Sequence, residues 1–101
     1  MTNPYRGEVP LTVNGQARTM RLTLGALAEL EQALGEDTLV GLVERFESGG
    51  FSAADLVTLL AAGLGETRDV VANSEIDGGP LAAARAAATL LRVTFQIPDP
   101  A

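Results

Sequence analysis

From Glu8 to Val13 apolar and polar positions alternate, with Val9, Leu11 and Val13 on one side and Glu8, Pro10 and Thr12 on the other. A period of two is the pattern of a half-buried strand. Asn14-Gly15 comes next. A type I′ turn needs positive φ at both central positions, which Asn and Gly tolerate, so a hairpin is predicted whose second strand runs from Gln16 to Leu22. The two-residue loop sets the register. Val13 faces Gln16 and Leu11 faces Arg18 as hydrogen-bonded pairs, while Pro10 faces Thr19 at a non-hydrogen-bonded site. The missing N–H of Pro10 then falls on the outer edge of the first strand and blunts it, leaving the outer edge of the second strand open.

Beyond Leu22 the period becomes helical. Thr23 is placed to cap a helix beginning at Leu24, whose inner face would be Leu24, Leu27, Ala28, Leu30 and Leu34, with Gly35 as a left-handed stop. Thr38 is the next cap, followed by Leu39, Leu42, Val43 and Phe46 at i, i+3, i+4 and i+7, and Gly49-Gly50 ends that helix. Ser52 with Asp55 three residues on makes a capping box, and Phe51 is positioned to staple against Leu56. Leu56, Leu59, Leu60 and Leu64 carry the third stripe as far as Gly65. The pattern then weakens: Val70, Val71 and Ile76 suggest one or two helical turns before the turn Asp77-Gly78-Gly79.

The last stretch, PLAAARAAATLLRVTF from Pro80 to Phe95, is apolar around most of a helical circumference. Leu81, Ala84, Ala88, Leu91 and Phe95 fall along one line, Ala82, Ala86 and Val93 nearly opposite, and Arg85, Thr89, Arg92 and Gln96 share the polar sector. The expectation is a central helix wrapped by the rest of the chain; the alternative is that one stripe, that of Ala82, Ala86 and Val93, is held for a partner. Val93 to Ile97 also alternates and is rich in β-formers, so a third strand on the open edge of Gln16 to Leu22 is the alternative to a helix reaching about Phe95.

These elements predict an α+β fold: an N-terminal two-stranded antiparallel β-hairpin packed on a bundle of four or five α-helices, as one domain over residues 1–101. At 101 residues and 47% hydrophobic, the chain can bury a single core and is not of disordered composition. No apolar run reaches the roughly 20 residues of a membrane span, and the N-terminus has no secretory pattern, so a soluble, cytoplasmic protein is expected. Thirteen acids stand against seven arginines, a formal net charge of −6, which makes nucleic acid an unfavourable partner.

Candidate chemistry is sparse. With no cysteine and no histidine the chain lacks thiolate chemistry, the usual general base and the commonest metal ligand. Gly63-Leu64-Gly65 and Gly78-Gly79-Pro80 do not continue into phosphate-loop spacings and read as helix terminators. Glu29 with Glu31, and Glu44 with Glu47, read as solvated helix faces rather than acid–base pairs, and Asp69, Glu75 and Asp77 lack the spacing of a calcium loop. The expectation is a binding protein without catalysis, cofactor or metal.

The lead Arg6-Gly7-Glu8-Val9, the Asn14-Gly15 turn, and above all Arg21-Leu22-Thr23-Leu24-Gly25-Ala26-Leu27-Ala28-Glu29-Leu30-Glu31 resemble the gene transfer agent and phage tail assembly chaperone family. The order of the later elements is similar too. The resemblance implies a small non-enzymatic protein, encoded between the tail tube and tape measure proteins, that binds one or both in the bacterial cytoplasm before the tail polymerises and is not retained in the finished particle. Partner contacts are expected from Ala82, Ala86 and Val93 on the last helix and from Ala17, Thr19 and Arg21 on the open strand edge. The competing classes are a structural minor tail or connector subunit that stays in the particle, and a small regulatory binding module. The latter would ordinarily carry a basic recognition helix, which this chain lacks.

Overall fold

The structure, a computed structural model, describes residues 7–95. Strands β1 (Val9–Val13) and β2 (Gln16–Met20) form an antiparallel hairpin. Val13 lies opposite Gln16, Leu11 opposite Arg18 and Pro10 opposite Thr19, the register the turn demands. Asn14 and Gly15 both take positive φ, 52° and 78°. Val9, Leu11 and Val13 are buried, as are Met20 and Leu22 from the returning strand, while Pro10 faces solvent. β2 ends before Leu22: the Arg21 amide donates to the Gly63 carbonyl at 2.9 Å, tying the chain to a helix end instead of prolonging the strand.

Five helices follow, and four of them start on a side-chain cap. In α1 (Leu24–Leu34) Thr23 Oγ1 accepts from the Ala26 amide at 3.1 Å, and Gly35 (φ 70°) ends the helix. Thr38 caps α2 (Leu39–Glu47) by accepting from the Gly41 amide at 2.9 Å. At α3 (Ala53–Leu64) both halves of the Ser52–Asp55 capping box form, each at 3.1 Å. Thr67 caps the short α4 (Arg68–Ala72). In α5 (Gly79–Thr94) Gly78 is the N-cap and Pro80 sits in the first turn, where its missing N–H costs nothing. The helix runs to Thr94 with Phe95 as its C-cap, so residues 93–95 end a helix and do not form a third strand; Gln96 and Ile97 lie outside the described residues.

The element at the centre is α3, not the last helix. It packs against α1, α4, α5 and β2, and Leu59, Leu60, Ala61, Gly63 and Leu64 are all buried. α5 packs on α3, β1 and α2. Its inward line is Ala83, Ala87, Leu90 and Leu91, rotated from the expected Leu81, Ala84, Ala88, Leu91 and Phe95. Leu81 is 63% exposed, and Ala84 and Ala88 are half-buried. A glycine on α3 accounts for the rotation. A Cβ on Gly63 would come 2.7 Å from Leu90 Cδ2, so the missing side chain is the notch that receives Leu90. The inner face of α1 is likewise narrower than expected: Leu27, Leu30 and Leu34 are buried, whereas Ala28 is exposed and Leu24 is 80% exposed.

Two polar clips join these elements. The Arg45 guanidinium, in the last turn of α2, donates to the Leu34 carbonyl (2.6 Å), Glu36 Oε2 (3.1 Å) and Asp55 Oδ2 (2.8 Å), tying the end of α2 to the end of α1, the α1–α2 connection and the start of α3. Arg18, on the inward face of β2, donates to the Leu64 carbonyl and Glu66 at the C-terminus of α3, where a cation complements the helix dipole.

The first edge of the hairpin is occupied by a segment in which Ile76, expected in a helical turn, lies beyond the end of α4 and in extended backbone. Residues 73–78 connect α4 to α5, and within them Ile76 forms an antiparallel bridge with Val13. The Asn14 amide donates to the Glu75 carbonyl (2.8 Å) and the Asp77 amide to the Thr12 carbonyl (3.0 Å). The bridge uses the half of β1 beyond Pro10, where the strand still has donors to offer.

Candidate partner-binding groove

α3 and α5 run parallel. Ala53 and Leu56 near the start of α3 face the same space as Pro80 and Ala83 near the start of α5, and at the other end Gly63 meets Leu90. A parallel pair needs a return connection, which α4 and the segment 73–78 supply. Between that return, the two helix starts and the hairpin turn lies an open groove of about 730 Å³.

The floor is apolar, with Leu56, Val57, Leu60, Val71, Ile76 and Ala83. Consecutive left-handed glycines, Gly78 (φ 86°) and Gly79 (φ 75°), turn the chain from its wall into α5. A side chain at Gly78 would also be crowded, its Cβ meeting Ala82 Cβ at 2.7 Å. Glu75 and Asp77 stand exposed on the rim, and among the described residues no cation lines the groove. The wall's backbone is paired on its β1 side: besides the two bonds to β1, the Glu75 amide donates to Asn14 Oδ1 (2.8 Å), and the Gly79 amide closes a turn on the Ile76 carbonyl (2.9 Å).

Such a surface can bind an apolar partner segment. Among the described residues no polar or charged side chain is buried, and no group of three or more His, Cys, Asp or Glu could hold a metal ion. The Asp55 carboxyl has a shifted pKa. Burial pushes its carboxyl up, but the Ser52 amide and the Arg45 guanidinium outweigh that and hold it below the usual carboxylate range. It serves the helix cap, not the groove. Among the described residues no helix is long and apolar enough to cross a membrane.

None of the six residues expected to meet a partner lines the groove. Ala82, Ala86 and Val93 are half-buried, and Ala86 and Val93 pack against the core. Ala17 and Thr19 are exposed on β2, and Arg21 is exposed just past its end. No described residue bonds to the backbone of Ala17 or Thr19 from outside the hairpin, but the edge is closed at Arg21 by Gly63. The groove residues carried only a faint sequence signal: Ile76 is an isolated β-branched residue in a polar stretch, followed by two glycines.

Residues 6–97 match the family model described as phage tail tube protein, GTA-gp10. Neither a curated protein nor a solved structure matches the chain significantly. The match spans nearly the whole sequence, including the hairpin and every helix that builds the groove, and on that basis the chain belongs to the phage tail tube protein, GTA-gp10 family, a family of phage and gene transfer agent tails.

Proposed function

We propose that this protein is a non-enzymatic tail assembly chaperone: it binds another tail component, the tail tube or tape measure protein, in the bacterial cytoplasm and leaves before the tail is complete. The observation that carries the reading is an open apolar groove on a small acidic domain of a tail family. An apolar groove of this kind suits transient cover of a sticky segment, and net charge keeps the pair dispersed. Nucleic acid is not a partner in this reading, because a chain of net charge −6 repels phosphate.

Co-expression tests it. With this protein present, a tape measure or tube protein that is otherwise insoluble should move to the soluble fraction and co-purify, and finished particles should contain little of it. The family's description as a tail tube protein favours a second reading, a structural subunit retained in the particle. Stoichiometric recovery from purified tails would establish that reading and sink the first.

A further inference from the structure

We propose that the groove between α3, α5 and the segment 73–78 receives the apolar face of a partner helix whose flanking positions are basic; this rests on the chaperone reading and names the chemistry of its partner. Two observations carry it. On its β1 side the polar backbone of the wall is spent, since the Asn14 amide bonds the Glu75 carbonyl, the Asp77 amide the Thr12 carbonyl and the Glu75 amide Asn14 Oδ1. An added strand could not enter between the wall and β1. A helix satisfies its own backbone and needs only side-chain pockets, which the apolar floor supplies.

The second observation is charge. Glu75 and Asp77 are exposed on the rim, and among the described residues no cation lines the groove to oppose them. Arginine or lysine beside the apolar stripe of the occupant would complement them, and an acidic helix would be repelled. The same argument disfavours a second copy of this chain, which would bring its own net charge of −6 to an acidic rim.

The probe is a fluorescein-labelled synthetic helical peptide of about 18 residues, with leucines at i, i+3, i+4 and i+7 and arginines on both flanks, compared by anisotropy with a twin carrying glutamates in place of the arginines. The arginine peptide should bind the whole protein, and its amide-shift changes should fall on Val57, Val71, Ile76 and Ala83. The double variant E75K/D77K should weaken it about tenfold at low salt, with the difference shrinking as salt rises. Ala72→Tyr, bulk at an exposed groove position, should weaken it at any salt, and Leu24→Ala, exposed and off the groove, should not.

Equal binding of the glutamate peptide, no loss in E75K/D77K, or shift changes elsewhere would overturn the proposal, as would a dimer of this chain that E75K/D77K dissociates. If the wild type solubilises a tail component and both groove variants do so equally, the groove inference falls and the chaperone reading stands. If the arginine peptide seats in the groove but no tail component is retained in co-expression, the reverse holds.

Discussion

Asn14 and Glu75 hold each other twice: the Asn14 amide donates to the Glu75 carbonyl, and the Glu75 amide donates to Asn14 Oδ1, both at 2.8 Å. One residue thus makes the hairpin turn, at φ 52°, and pins the wall of the groove. Asn14→Gly keeps the turn and loses the side-chain bond, and should cost about 1 kcal/mol. Asn14→Ala adds left-handed strain and should cost about 2 kcal/mol. Urea unfolding gives the totals. Amide exchange at Glu75 and Asp77 should quicken in both variants before the rest of the chain opens, and unchanged exchange there would show that the segment is held by something else.

The start of α3 depends on Ser52 and Asp55. Ser52→Ala removes half of the capping box and should cost about 1 kcal/mol. Asp55 carries a pH signature as well. Its carboxyl is held below its ordinary value in the folded chain, so its contribution is present above the unfolded pKa and is lost as pH falls through the folded one. Asp55→Asn should therefore be less stable than wild type at pH 7, and the gap between their urea midpoints should narrow below about pH 4. A gap independent of pH would mean that the charge of Asp55 contributes nothing.

Gly63 is buried where α3 packs on α5 and β2, with Leu90 Cδ2 and Met20 Cβ 2.7 and 3.3 Å from where its Cβ would be. Leu90 and Met20 are fully buried and have little room to retreat. Gly63→Val should destabilise by roughly 2–3 kcal/mol through overpacking, even though a helical glycine is ordinarily a weak point worth replacing. A neutral or stabilising result in thermal unfolding would show that Gly63 is not a packing notch.

The rotation of α5 separates two leucines of similar hydropathy. Leu91→Ala, at a site 1% exposed, should cost about 2–5 kcal/mol by leaving a cavity. Leu81→Ala, 63% exposed, should fall within about 0.5 kcal/mol of wild type. Equal losses would place both on the buried face, as the sequence pattern alone suggested.

What the sequence determined by itself is everything decided within a few residues. The type I′ turn follows from Asn14-Gly15, and the register of β1 on β2 follows from a two-residue loop. The side-chain caps follow from Thr23, Thr38 and the Ser52–Asp55 box, and the stops at Gly35 and Gly65 from positive φ. Tertiary structure alone decided what depends on residues far apart in the chain. Which side of α5 faces inward could not be read from a helix apolar almost all round. It was settled by the notch at Gly63, which admits Leu90 and leaves Leu81 in water. The centre moved to α3 for the same reason, since only packing reveals how many neighbours a stripe meets. The bridge of Ile76 to Val13, the grip of Arg45 on Leu34, Glu36 and Asp55, and the groove itself join segments whose meeting has no local sequence signature. Nothing in the period of a strand or a helix reports a contact that closes a long loop, and the candidate site is made of such contacts.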